Sequence, residues 1–363
     1  MSENKSEAQS QRLIGPKAAK RSLEYAIKKR KAVFLHGAPG LGKSDIVRQI
    51  GLETNREVID VRLALWDPTD LKGVLYYNPE KGEAIWSAPP DLPSDPDSNA
   101  ILFLDELSTA PQAVQASAYQ LVLDRRVGTY VLPKGVDIIA AGNREGDRGV
   151  SHRIPAPLAN RFTHLDITHN FEDWEEWALQ NKVHPEVISY LGFAKNDLYD
   201  AKGAKTALAF ASPRSWVTVS DYLWDEDVIE PSILHNLVSG AIGDGLGIKF
   251  MAHRKIAGQL PKPSDILNGI EHNLNVKEIS AMYSLSISMC YELKEMLDSS
   301  VDNWADKFNN YFNYISKNFP VEIVVMGVQL ALIKYRFSIS KDMKNWDEFQ
   351  LKYGKYITTA LAG

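Results

Sequence analysis

The sequence predicts an α/β fold, a parallel β-sheet with helices on both faces, followed by an all-α region. Three observations lead there. Short apolar runs alternate with helix-period segments from residue 15 to residue 167, the pattern of strands joined by crossover helices. A glycine-rich run directly follows one of these strands and opens a helix. Past Asn170 the apolar spacing is helical throughout, with no convincing strand.

In chain order, strands are expected at 32–36, 57–62, 100–105, 136–141 and 162–166. Gly15-Pro16 precedes a helix at 18–29 whose end is basic, as suits a helix C-terminus. A second helix at 43–52 follows the glycine-rich run, and a third at 112–124 begins after Ala110-Pro111. Residues 66–96, rich in Trp, Tyr, Pro, Asp and Gly, read as hairpins and loops inserted between two strands. Residues 126–135 read as a β-hairpin directly before the strand at 136. Helices are then expected at 171–181, 186–193, 215–224, 231–238 and 242–257. The breaker Leu260-Pro-Lys-Pro263 precedes a second helical stretch, at 276–296, 301–318 and 321–335.

Composition bounds the function. At 363 residues the chain is long enough for two or three domains and a core that needs no staples. A net charge of −5 gives no global basic field of the kind that nucleic acids attract. A single cysteine, Cys290, excludes an internal disulfide framework and a cysteine-based zinc site. It lies in the apolar stretch 282–293 and is expected to be buried rather than nucleophilic. No histidine falls in HExxH or paired ligand spacing, so no zinc is expected. The polar start lacks the apolar core of a signal peptide. The apolar run 321–333 carries Glu322 and Gln329 and is too short to span a bilayer, so a cytoplasmic protein is expected.

Gly37-Ala38-Pro39-Gly40-Leu41-Gly42-Lys43-Ser44 is a complete G-x-x-x-x-G-K-[ST] P-loop between an apolar strand and a helix. Its backbone N–H groups would cradle phosphate oxygens, Lys43 would reach the β/γ-phosphates, and the Ser44 hydroxyl would ligate Mg²⁺. The helix start, with Asp45 in its first turn, aims its positive dipole end at the same anion. A nucleoside triphosphate is therefore the expected ligand, bound along 37–45.

Ile101-Leu-Phe-Leu-Asp105-Glu106 is an apolar strand ending in two acids. Set beside the P-loop strand, Asp105 would hold the Mg²⁺ shell and Glu106 would polarise the attacking water. Asn143, at the end of the next apolar strand, would hydrogen-bond the γ-phosphate or the water; the alternative is a turn asparagine. Arg161 stands just before a strand, where it would act on a neighbouring subunit's nucleotide or form a surface ion pair. Arg214 follows Ser212-Pro213 at a helix start, placed to close over the triphosphate or to serve as an ordinary first-turn arginine.

Taken in order, Gly-Ala-Pro-Gly-Leu-Gly-Lys-Ser, Leu-Phe-Leu-Asp-Glu-Leu, Ala-Gly-Asn-Arg, Leu-Ala-Asn-Arg-Phe and Ser-Pro-Arg-Ser-Trp resemble an AAA+ ATPase, more narrowly its MoxR-like branch. The resemblance covers residues 12–260. It implies Walker A at Lys43 and Ser44, Walker B at Asp105 and Glu106, sensor 1 at Asn143, an arginine finger at Arg161 and sensor 2 at Arg214. It also implies ATP and Mg²⁺ as cofactors and a ring, usually hexameric, with the hairpin at 126–135 as the pre-sensor-1 hairpin of that branch. Arg144, Arg148 and Arg153 compete with Arg161 for the role in trans.

The expected organisation is a disordered tail at 1–11, a P-loop NTPase αβα sandwich at 12–168, a helical lid at 169–260 and a C-terminal helical extension at 261–363, which has no counterpart to name. Aromatic residues Trp66, Tyr76, Tyr77 and Trp86 either grip a polypeptide or pack the inserts onto the sheet. The leading expectation is a chaperone-like ATPase that remodels a protein client, with a von Willebrand A-type or metallopeptidase-like partner implied by the branch. The first alternative is a DNA-acting motor, for which Lys72, Lys81 and Lys134 would line a basic pore. The second is an ATP-dependent switch or scaffold with negligible turnover.

Overall fold

Phe34, Leu102, Leu104, Ile138 and Ala140 are buried on one face of a central sheet, and Val33, Leu35, Ile101, Phe103, Ile139 and Ala141 on the other. Successive side chains of a strand point to opposite faces, so continuous apolar runs of this kind require cover on both. The computed structural model describes residues 13–80, 82–87, 89–144, 154–225, 229–272, 274, 278–300, 303–339, 347 and 349–355. The expected tail at 1–11 and the residues Lys81, Arg148 and Arg153 lie outside them.

The strands are β1 (Leu13–Ile14), β2 (Val33–His36), β3 (Val58–Arg62), β4 (Val74–Asn78), β5 (Glu83–Ser87), β6 (Ile101–Asp105), β7 (Arg126–Val127), β8 (Tyr130–Val131), β9 (Asp137–Gly142) and β10 (Thr163–Ile167). Six of them form one sheet in the order β1-β10-β2-β9-β6-β3, every neighbouring pair parallel. This is the expected αβα arrangement, and each of the five expected strands starts one residue later than its apolar run suggests. One expectation fails. The strand ending in Asp105 does not lie beside β2, because β9 pairs with both β2 and β6 and separates them. Parallel strands need long crossovers, so chain order does not dictate sheet order.

The helices of this part are α1 (Pro16–Lys28), α2 (Lys43–Glu53), α3 (Pro68–Lys72), α4 (Gln112–Asp124) and α5 (Ala156–Ala159). Ala19, Leu23 and Ile27 of α1 and Ile46, Val47 and Ile50 of α2 cover one face. Val114, Ala118 and Leu121 of α4 cover the other. At the amino-terminal end of β9, Asp137 is only 4% exposed and accepts from Arg56 at 2.7 Å and Arg30 at 3.1 Å. A buried carboxylate needs such partners.

The insert at 66–96 divides its aromatic residues. Trp66 packs against the core cluster, just before the capping box of Asp67 and Asp70 that starts α3. Antiparallel β4 and β5 form a separate ribbon on which Tyr76 and Tyr77 are 50% and 65% exposed. Strands β7 and β8 form a second, shorter antiparallel ribbon.

Further helices follow: α6 (Phe171–Gln180), α7 (Pro185–Phe193), α8 (Gly203–Thr206), α9 (Pro213–Trp224), α10 (Pro231–Ile242), α11 (Asp244–Ala257), α12 (Pro263–Leu267), α13 (Ile279–Asp298), α14 (Trp304–Asn318) and α15 (Val321–Gln329). A π-helical turn, Leu330–Lys334, follows α15 where a continuous helix to 335 is expected from the sequence, and residues 349–355 are helical again. The chain divides into two compact units. One holds the sheet, up to Asp173, with Ala201–Leu208 and Ser212–Arg214; the other holds Trp174–Asp200, Ala209–Ala211 and the chain from Ser215. In the second unit Trp216 is fully buried and its ring lies 5.5 Å from those of both Tyr190 and Phe250. The helices that flank Pro261, α11 and α12, both belong to this unit, with α12 packed on α13. Cys290 is buried inside α13, and burial pushes its thiol up to about 12. Among the described residues no helix is long and apolar enough to cross a membrane.

Candidate functional site

The carboxyl ends of β2, β6 and β9 meet at one edge of the sheet, the place where open α/β sheets bind ligands. The loop after β2 turns through Gly40 and Gly42, whose φ angles of 81° and 77° lie in the left-handed region that glycine enters without strain. Gly42 caps α2, which therefore begins at Lys43 with its first N–H groups directed at the loop. Lys43 Nζ donates to the carbonyls of Gly37 at 2.6 Å and Ala38 at 3.0 Å, folded back over the cradle it would share with a phosphate.

Across the sheet edge, Ser44 Oγ donates to Asp105 Oδ2 at 3.0 Å. The intervening β9 does not prevent this contact, because the start of α2 reaches over it. The other carboxylate oxygen of Asp105 accepts from the Glu106 N–H at 2.8 Å. Glu106 is exposed and has φ 58°, an uncommon conformation for a residue with a side chain. Leu107 N–H donates to Ala141 O at 2.9 Å, and Asn143 N–H donates to Ser108 Oγ at 2.9 Å. The chain leaving β6 is thus tied to the end of β9. This brings Asp105, Glu106 and Asn143 to one edge, with their backbones fixed by each other.

The structure also places Ser212 and Arg214 at the loop. A Cβ added to Gly40 would lie 2.7 Å from Ser212 Oγ and 4.0 Å from Arg214 Cβ. Gly40 is therefore needed twice, for its φ and for this close approach.

The two described arginines that compete for a role in trans are placed differently. The Arg144 guanidinium donates to the Ile167 carbonyl and lies 3.6 Å from Asp166 of β10, so it is held within its own chain. Arg161 follows α5 on a turn closed by Arg161 N–H to Leu158 O at 3.1 Å and Phe162 N–H to Ala159 O at 3.1 Å. Its side chain is exposed and makes no ion pair among the described residues.

Two residues that the sequence reading did not select stand directly behind the loop. His36, the last residue of β2, meets His164 of β10 with Nε2 2.7 Å from Nδ1. Burial, together with the neighbouring His164, Arg144 and Lys43 and against Asp166, holds the His36 imidazole down at about 4. No spacing rule pairs these histidines, since only the neighbouring of β2 and β10 brings them together. Ser108 is likewise visible only once β6 and β9 are adjacent.

Residues 32–162, from just before β2 to just before β10, match the family model of the AAA domain, dynein-related subfamily. Over this stretch the chain is similar to an AAA domain. Among solved structures it is similar to a mutant form of RuvB from Thermotoga maritima, at 18% identity over 71% of this chain and 81% of that one, with a TM-score of 0.38. It is similar also to NtrX from Brucella abortus in complex with ADP, at 14% identity over 82% and 69% of the two chains, with a TM-score of 0.39.

The loop end of this stretch fits the phosphates of a nucleotide on its own geometry. Gly40 and Gly42 supply an open loop, α2 supplies N–H donors, and Lys43 supplies a cation. The Ser44 hydroxyl and the Asp105 carboxylate are hard oxygen donors 3.0 Å apart, the type of set that Mg²⁺ takes beside a nucleotide.

Proposed function

We propose that the chain is a MoxR-like AAA+ ATPase that hydrolyses ATP between subunits of a ring, of six by the resemblance, and uses the resulting movement to remodel a protein client. The observation that carries the reading is the contrast between the two arginines. Arg144 is occupied within its own chain, whereas Arg161 projects from a braced turn with no ion pair among the described residues. A cation held outward in this way serves a phosphate on another subunit.

Each site residue then has a role that its position supports. Residues 37–45 hold the phosphates through backbone N–H groups, and Lys43 exchanges its loop carbonyls for β/γ-phosphate oxygens. Ser44 and Asp105 would hold Mg²⁺, which when bound neutralises phosphate charge. Glu106, freed from the sheet by its left-handed backbone, accepts the proton of the attacking water. Asn143 orients that water without competing for the metal. Arg214, beside Gly40, contacts the phosphates in the same subunit, and Arg161 acts on those of the next. The exposed Tyr76 and Tyr77 ribbon supports contact with a polypeptide, and the net charge of −5 weighs against DNA.

The reading is tested by ATP turnover per subunit across protein concentration. Turnover should rise with assembly and reach a plateau, and Arg161→Ala should abolish the rise. A constant rate in a proven monomer would reject the trans arrangement. DNA-stimulated turnover, with affinity falling steeply as salt rises, would replace the protein client with DNA.

A further inference from the structure

Behind the phosphate loop, Phe34, His36 and His164 form one stack, and Phe162, the residue before β10, meets Phe34 edge-on. Phe34 lies 4.1 Å from His36 and 5.5 Å from Phe162, and His36 lies 5.0 Å from His164. Within the stack runs a directional pair of hydrogen bonds. His164 Nε2 lies 2.7 Å from the Ala159 carbonyl, which can only accept, so the proton of a neutral His164 is on Nε2. Its Nδ1 is then an acceptor, and His36 Nε2 is the donor across 2.7 Å. Burial, with His164, Arg144 and Lys43 and against Asp166, keeps the His36 imidazole itself neutral at physiological pH.

The two ends of this bridge are informative. His36 is followed directly by Gly37, whose N–H donates to Gly142 O and whose carbonyl accepts from Lys43. At the far end, Ala159 O accepts both from His164 and from Phe162 N–H, which closes the turn containing Arg161. The two side chains thus join the base of the phosphate loop to the turn from which Arg161 projects. We propose that His36 and His164 are positioning residues that set the direction of Arg161 from the state of their own subunit's phosphate loop, and so control hydrolysis in the neighbouring subunit. This rests on the reading of Arg161 as acting in trans.

The test uses mixed assemblies. Wild-type chains are combined with a ninefold excess of Glu106→Gln chains, which retain ATP without turning it over, so that most active sites face a doped subunit's Arg161. Adding His36→Phe to the doped chain keeps the ring against Phe34 and removes the donor. Turnover per wild-type site should fall about fivefold, since a misplacement of 1 Å costs up to about 100-fold, with the KM for ATP unchanged. His36→Gln, which restores an N–H donor, should recover most of the loss. His164→Asn, which keeps an acceptor and loses the bond to Ala159, should reproduce the loss and serves if His36→Phe fails to fold. The control is Arg161→Ala in the doped chain. If the control lowers turnover and neither histidine variant does, the bridge has no positioning role. If the control lowers nothing, the trans reading falls and the bridge falls with it.

Discussion

The loop end of the sheet and the turn that carries Arg161 lie in the same compact unit and are built on opposite terms. At the phosphate end the polar side chains that matter are engaged within the chain: Lys43 by its loop carbonyls, Ser44 by Asp105, and Asp105 in turn by the Glu106 backbone. At the Arg161 turn the backbone is braced equally well, yet the side chain is exposed and has no ion pair among the described residues. Bracing a turn restricts the chain without satisfying the cation it displays. On the proposed reading, the first region serves as a binding site within one subunit and the second as half of a contact.

Breaking the second region should have the largest effect on rate. Arg161→Ala should lower ATP turnover by about 10³–10⁵ if the guanidinium stabilises the transferred phosphoryl charge, with ATP affinity nearly unchanged; steady-state kinetics and equilibrium binding separate the two. Unchanged turnover and unchanged affinity would make Arg161 an ordinary surface residue. Next comes the base. Glu106→Gln should cost about 10²–10⁴ in turnover and retain bound ATP, as single-turnover measurements would show; brisk hydrolysis by this variant would remove Glu106 from the role. Lys43→Ala should weaken ATP binding by about 100-fold, the size of one to two charge-assisted hydrogen bonds, read by titration with a fluorescent nucleotide.

The smallest effect sharpens the link between the two regions. The His36 imidazole is held down at about 4 in the folded chain, against an ordinary 6.5. Between these values the unfolded chain binds the proton and the folded chain does not. The contribution is present above pH 6.5 and is lost as pH falls toward 4, by up to about 3 kcal/mol at 1.36 kcal/mol per unit. Urea midpoints at pH 7.5 and pH 4.5 should show this loss, and His36→Phe should flatten it. An unchanged slope in that variant would assign the acid sensitivity to other groups.

How much was legible beforehand follows the range of each signal. The five strands, the loop at 37–44 and the helix at 43 are local patterns, and each appears within about a residue of its expected place, the usual scatter of element ends. The edge strand β1 was not legible, since two residues carry no period. The order of strands was misread at one point, with β6 expected beside β2, because apolar runs of similar composition do not say which pairs with which. The aromatic residues of 66–96 were read as one group, whereas burial separates Trp66 from Tyr76 and Tyr77.

By itself the sequence determined that a strand feeds a glycine loop with a lysine and a hydroxyl, and that acids and an asparagine end later strands. Those features depend on neighbours a few residues away, where backbone preference and apolar periodicity act directly. Only the tertiary structure decided that Asp105 reaches Ser44 across an intervening strand, that Arg144 is held in its own chain, and that His36 meets His164. Each of these joins residues far apart in the chain through the parallel register of the sheet, which many side chains fix together and no single motif encodes.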